Sequence, residues 1–209
     1  MKKKSHINTG IRKLLEIPQL YNLKGIIFGG ENYREQHAKS LNIKSGYKVL
    51  DIGCGTSNIL KYLPVNIEYY GLDMEEEYID FCRKEYGDRA TFYCEKVGEV
   101  EREEWIGNFD VINIHGLLHH LSDSDAESIL STSKKYLKDT GEVVTVDSVF
   151  HEGQGAIDKW LVSKDRGQNI KTPAEYVELV SKIFSSVESK VLDDHLRIPY
   201  SIFVMRLQK

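Results

Sequence analysis

Val49-Leu50-Asp51-Ile52-Gly53-Cys54-Gly55-Thr56-Ser57-Asn58 reads as a buried strand that runs into a glycine turn and then into the first helix. Its aliphatic run carries one acid near the end, and two glycines at alternate positions let the backbone bend sharply and approach a ligand closely. Including Lys48–Ile52 itself, strand candidates recur at Ile67–Leu72, Ala90–Cys94, Phe109–Ile114 and Glu142–Val146, with amphipathic stretches between them. Asp123–Leu137 is the clearest helix, with Ser122 as a cap answered by Asp125. Thr172-Pro173-Ala174-Glu175 opens another with a capping box and a proline in its first turn, and that helix is expected to run to about Ile183. Val187–Val191 and Ile198–Leu207 are strand-like with no helix between them, so they pair antiparallel. The pattern predicts an α/β fold: a seven-stranded, mostly parallel sheet with one reversed strand, a terminal hairpin and helices on both faces.

The chain has 209 residues, 41% of them hydrophobic and 10% aromatic, which suits one domain with elaborations and a packed core. Residues 45–209 form the expected core domain, and residues 1–44 an N-terminal helical cap built from Ile11-Leu14-Leu15, Leu20-Leu23-Ile27 and a polar stretch from Asn32 to Leu41. Lys+Arg 28 against Asp+Glu 32 gives a net charge of −4, which disfavours a nucleic-acid partner. Cys54, Cys82 and Cys94 contain no CxxC pair, so no metal site or disulfide framework is indicated. No apolar run is long enough to span a bilayer, and Met1-Lys2-Lys3-Lys4 is followed by polar residues rather than a signal-peptide core. A cytoplasmic monomer or homodimer without a membrane partner is expected.

A dinucleotide fingerprint would place a third glycine where Asn58 stands, and would not ask for Asp51. A carboxylate at that strand end repels pyrophosphate and favours a ligand with an ammonium or sulfonium. Tyr70-Gly71-Leu72-Asp73 ends the second strand with another acid, placed to accept both hydroxyls of a ribose. Together they describe a nucleoside without phosphates.

These residues resemble the class I methyltransferases that use S-adenosylmethionine, whose first motif is an acid, any residue, glycine, any residue, glycine. The resemblance continues through Asp73, Phe109-Asp110-Val111-Ile112, Leu118-His119-His120-Leu121 and the terminal hairpin, and covers residues 45 to 207. It implies a Rossmann-like fold with S-adenosylmethionine as cofactor. It also implies that Gly53, Cys54 and Gly55 surround the methionine part, that Asp51 helps hold its ammonium, that Asp73 takes the ribose and that Met74 packs on adenine. Ser57 replaces a glycine often found in this motif. The family often has an acid after the third strand, where this chain has Lys96 beside Glu95, so adenine contact at Lys96 or Val97 is expected through backbone.

Methyl transfer is an in-line displacement, so positioning dominates, and only a hydroxyl acceptor needs a base during attack. The fourth strand leads into three histidines, His115, His119 and His120, each able to titrate near neutral pH. His119 is the preferred base, with His120 and Asp147 as further catalytic candidates; His115 is expected to line the methionine pocket. Residues from Ser148 to Lys171 exceed a normal connection and suit a lid, within which Arg166 could bind an anionic acceptor or pair with Asp165. Tyr21, Tyr33 and Arg34 of the cap complete the candidate acceptor site. The expected activity is methyl transfer to a small molecule, at oxygen in preference to nitrogen. The rivals are an RNA or protein methyltransferase, a non-catalytic cofactor-binding regulatory subunit, and a dehydrogenase.

Overall fold

The computed structural model describes residues 30–99, 102–165, 167–193 and 198–209. Tyr21, Arg166 and the two apolar stretches nearest the N-terminus lie outside the described residues. Seven strands form one sheet: β1 Lys48–Ile52, β2 Glu68–Asp73, β3 Thr91–Cys94, β4 Phe109–His115, β5 Leu137–Ser148, β6 Ser186–Leu192 and β7 Ile202–Gln208, in the order β3-β2-β1-β4-β5-β7-β6. Every pairing is parallel except the two made by β7. The strand order reverses between β1 and β4, which opens a crevice outside their carboxyl ends.

Five helices are described: α1 Gly30–Ser40, α2 Glu76–Tyr86, α3 Asp123–Tyr136, α4 Ala156–Ser163 and α5 Pro173–Ser181. Successive strand residues point to opposite faces, so β1 sends Val49 to one side and Leu50 and Ile52 to the other. Val49, Val111 and Val144 pack with Ala38 and Leu41 of α1 and with Ile79, Cys82 and Tyr86 of α2. Leu50, Ile112 and Val143 pack with Ile129 and Leu130 of α3 and with Tyr176 and Leu179 of α5. The expected caps form: Ser122 Oγ accepts from the Asp125 amide, and Thr172 and Glu175 close a capping box.

The sequence reading is corrected at three elements. After the glycine turn there is no α-helix but a 3₁₀ turn over Asn58–Tyr62. Ser57 enters it in the left-handed conformation at φ 46°, and Pro64 follows closely, so there is no room for regular helical turns. The last helix stops at Ser181, short of Ile183. β7 begins at Ile202 rather than Ile198 because the Ser201 amide donates to the Asp158 carboxylate, 2.9 Å away, instead of joining the ladder.

Gly71 lies where β2 passes under Phe92. A Cβ there would come within 2.7 Å of the buried Phe92 ring and 3.0 Å of Cys54 Sγ. Gly71→Ala should therefore destabilise the fold by about 1–3 kcal/mol, read as a lower chemical-denaturation midpoint at unchanged slope.

Candidate active site

The first group of candidate residues is built where β1 and β2 end. Gly53 and Gly55 have φ of 73° and 51°, and a Cβ at Gly55 would meet nothing within 4 Å, so that backbone stands open to the crevice. Asp73 is fixed by two backbone donors, Gly55 N at 2.8 Å and Glu75 N at 3.0 Å. Met74 beside it is 65% exposed. Cys54 is buried in the turn. Lys96 turns its ammonium to Asp125, 3.3 Å away, while Glu95 pairs with Arg102 at 2.9 Å, so both side chains have protein partners and Val97 is buried.

Asp51 is buried rather than open to the crevice. The Tyr69 hydroxyl donates to its Oδ2, and Asn113 Nδ2 donates to its Oδ1 at 2.8 Å. Burial pushes the Asp51 carboxyl up to about 6, and these two donors oppose that rise. Because Asn113 donates through Nδ2, its Oδ1 accepts from His37 Nε2 at 3.0 Å, which assigns the proton to that nitrogen. His37 in turn lies 4.7 Å, ring centre to ring centre, from His115, whose Nε2 is hydrogen-bonded to the Tyr33 hydroxyl at 2.7 Å. Burial pushes His37 down to about 4 and His115 to about 3, so both rings are neutral at neutral pH. Arg34 is half-buried on the same helix, close enough for its charge to oppose protonation of His115. Helix α1 is thus tied through polar side chains to the acid of the glycine motif.

The acceptor-side candidates gather where β4 and β5 end. His119 follows β4 in a 3₁₀ turn over Leu118–His120 and is 4% exposed. Its Nδ1 is 2.8 Å from Asp147 Oδ1, and its Nε2 is 3.2 Å from Asp165 Oδ1. Burial works to lower the His119 pKa, but the bonds to the two carboxylates and their charges outweigh it and raise the value to about 9. Burial likewise works to raise Asp165, but bonds from His119, Tyr200 and the Gly167 amide hold it well below the usual carboxylate range. The His120 ring lies 4.2 Å from that of His119, tilted by 39°, and is exposed. His119, His120 and Asp165 each bring one possible ligand atom within 4.8 Å of the others, and an ion there would take the place of the proton between His119 and Asp165.

The structure therefore divides the expected residues into two groups. Asp51, Asp73, His115, Tyr33 and the glycines lie where β1, β2 and β4 end; His119, Asp147 and Asp165 meet where β4 and β5 end. The sequence reading missed Tyr69, Asn113, His37, Asp165 as the partner of His119, and Tyr200. Asn113 could have been found, since it shares the strand face of Val111 and His115 by the two-residue period of β4.

A family described as "Methyltransferase domain" matches residues 43–191. The chain belongs to that methyltransferase family. Its seven-stranded mixed sheet is the methyltransferase form of the Rossmann-like fold. Phosphoethanolamine N-methyltransferase 3 of Arabidopsis thaliana is 26% identical over 156 residues, covering 73% of this chain and 31% of that protein. Phosphoethanolamine N-methyltransferase of Plasmodium falciparum is 24% identical over 173 residues, covering 80% and 64%. This chain thus spans less than two thirds of either relative. Among solved structures, phosphoethanolamine N-methyltransferase 2 of Haemonchus contortus, in complex with phosphomonomethylethanolamine and S-adenosylhomocysteine, superposes with a TM-score of 0.69 at 19% identity, covering 88% of this chain and 45% of that one. Among the described residues of this methyltransferase, no helix is long and apolar enough to cross a membrane.

Proposed function

We propose that this methyltransferase moves a methyl group from S-adenosylmethionine to the amine nitrogen of a small molecule. The observation that carries the donor assignment is the Asp73 carboxylate, fixed by two backbone amides at the tip of β2 beside the open Gly55 backbone and exposed Met74. These residues fit an uncharged ribose and an aromatic base, and offer no cation for a pyrophosphate. Bound there, the donor supplies an electrophilic methyl on a sulfonium. Asp73 accepts from the ribose hydroxyls, Met74 packs on the adenine, and Asp51 adds negative charge behind the glycine turn.

The preference for nitrogen over oxygen rests on His119. A hydroxyl acceptor needs a base, and a ring that stays protonated up to about pH 9 takes no further proton at neutral pH. A neutral amine needs only positioning, followed by later proton loss. The names of the similar phosphoethanolamine enzymes point the same way. Oxygen remains the second reading because Tyr33 and neutral His115 form a hydrogen-bonded pair at 2.7 Å that could relay a proton.

The test is incubation of the purified chain with methyl-labelled S-adenosylmethionine and a metabolite mixture, followed by mass spectrometry. A product carrying one labelled methyl on nitrogen is expected. Label on oxygen overturns the amine assignment, and absence of donor binding by calorimetry overturns the whole reading.

A further inference from the structure

We infer that His119 and Tyr200 form a binding site for an anionic group of the acceptor, a carboxylate or a phosphate, and that Asp165 occupies this site as a built-in stand-in. The inference rests on the small-molecule acceptor proposed above. Three donors converge on the one Asp165 carboxylate: His119 Nε2 at 3.2 Å and Gly167 N at 2.8 Å on Oδ1, and the Tyr200 hydroxyl at 2.5 Å on Oδ2. Gly167 belongs to the same turn as Asp165 and moves with it. The other two donors do not.

Both are braced by the end of β5. Asp147 Oδ1 accepts from His119 Nδ1 at 2.8 Å and also from the His119 backbone amide at 3.2 Å, which fixes the ring and aims its Nε2 outward. Ser148 Oγ lies 2.7 Å from the Tyr200 oxygen; because Tyr200 gives its own proton to Asp165, Ser148 is the donor in that bond. The two groups that hold the anion thus belong to the sheet framework, while the anion they hold comes from the connecting segment. An imidazolium and a phenol in fixed positions are strong donors to any oxyanion.

Charge decides that an incoming anion replaces Asp165 rather than joining it. Among the described residues one imidazolium already faces two carboxylates, Asp147 and Asp165, and on that balance a third anion would meet net repulsion at short range. Exchange leaves the balance unchanged. Asp165 is also the outer member, with 23% of its side chain exposed against 5% for His119. The Gly167 backbone presses on the His119 ring, where a Cβ would come within 2.2 Å of Cδ2, and the Asn169 amide donates to the His119 carbonyl at 3.0 Å. Departure of Asp165 therefore removes the side-chain bond by which this end of the segment holds His119 Nε2.

The experiment titrates inorganic phosphate and, separately, acetate into the full chain by calorimetry. It compares the wild type with Asp165→Ala, and Asp165→Ala with the same variant carrying Tyr200→Phe or His119→Gln. Asp165→Ala should bind at least one anion about tenfold or more tighter than wild type, and either second substitution should remove that gain. A larger gain for phosphate assigns a phosphomonoester to the acceptor, and a larger gain for acetate a carboxylate. No gain for either anion overturns the inference, as does a gain that survives Tyr200→Phe, the variant that decides if His119→Gln fails to fold by circular dichroism. S-adenosylmethionine is titrated into the same samples: donor binding without an anion gain sinks only this inference, and an anion gain without donor binding sinks only the donor reading.

Discussion

Asp73→Ala should weaken S-adenosylmethionine binding about a hundredfold, equivalent to about 3 kcal/mol, because two charge-assisted hydrogen bonds to the ribose are lost together. The same carboxylate orders the glycine turn by accepting from Gly55 N and the next helix entry by accepting from Glu75 N. Part of the loss will therefore come through a loosened turn. Asp73→Asn separates the two effects, since an amide oxygen still accepts from one backbone donor while the negative charge is gone. Calorimetry on both variants is the measurement, with the unliganded melting temperature as control. Donor affinity unchanged in Asp73→Ala would remove Asp73 from the site.

The second large effect is on stability and its pH dependence. His119→Gln leaves the Asp147 carboxylate buried without its cationic partner, and breaking a buried pair on one side costs about 3–5 kcal/mol. The pH profile identifies the cause. His119 has a folded pKa of about 9 against an ordinary value of 6.5, so its stabilising contribution is fully present below about pH 6.5 and is lost as pH rises through 9. Wild-type unfolding free energy should fall by about 3 kcal/mol across that window, and the variant should show no such slope. Asp165 works in the opposite sense: its depressed pKa stabilises above its ordinary value of 3.8 and is lost only in strong acid. Denaturant unfolding of both proteins at a series of pH values between 6 and 10 is the check. Parallel curves would show that His119 is not held protonated in the fold.

The sheet was legible because its strands obey a two-residue period and its caps follow local rules. Val49 and Leu50 divide between the two cores as alternation requires, and Thr172-Pro173-Ala174-Glu175 forms the capping box that its spacing announces. What the sequence concealed depends on contacts between distant segments. Asp51 could be placed at a strand end from sequence, but not the Tyr69 hydroxyl and Asn113 amide that reach it from neighbouring strands. Asp165 entered the sequence reading only as a possible partner of Arg166, and its approach to His119, 46 residues earlier in the chain, has no local signal. The missing helix after the glycine turn has a conformational cause: Ser57 stands where the backbone turns left-handed, a geometry that residue type does not announce.

Two acids of the connecting segment fasten to adjacent residues at the start of β7. Asp158 is buried, and accepts from Ser201 N and Oγ and from Gln154; Asp165 is partly exposed and accepts from Tyr200. Asp158 is the deeper of the two, so the exchange inferred for Asp165 leaves the segment held to Ser201 through Asp158. On that inference, an acceptor needs only the Asp165 end of the segment to yield, while α4, which carries Asp158, keeps its place.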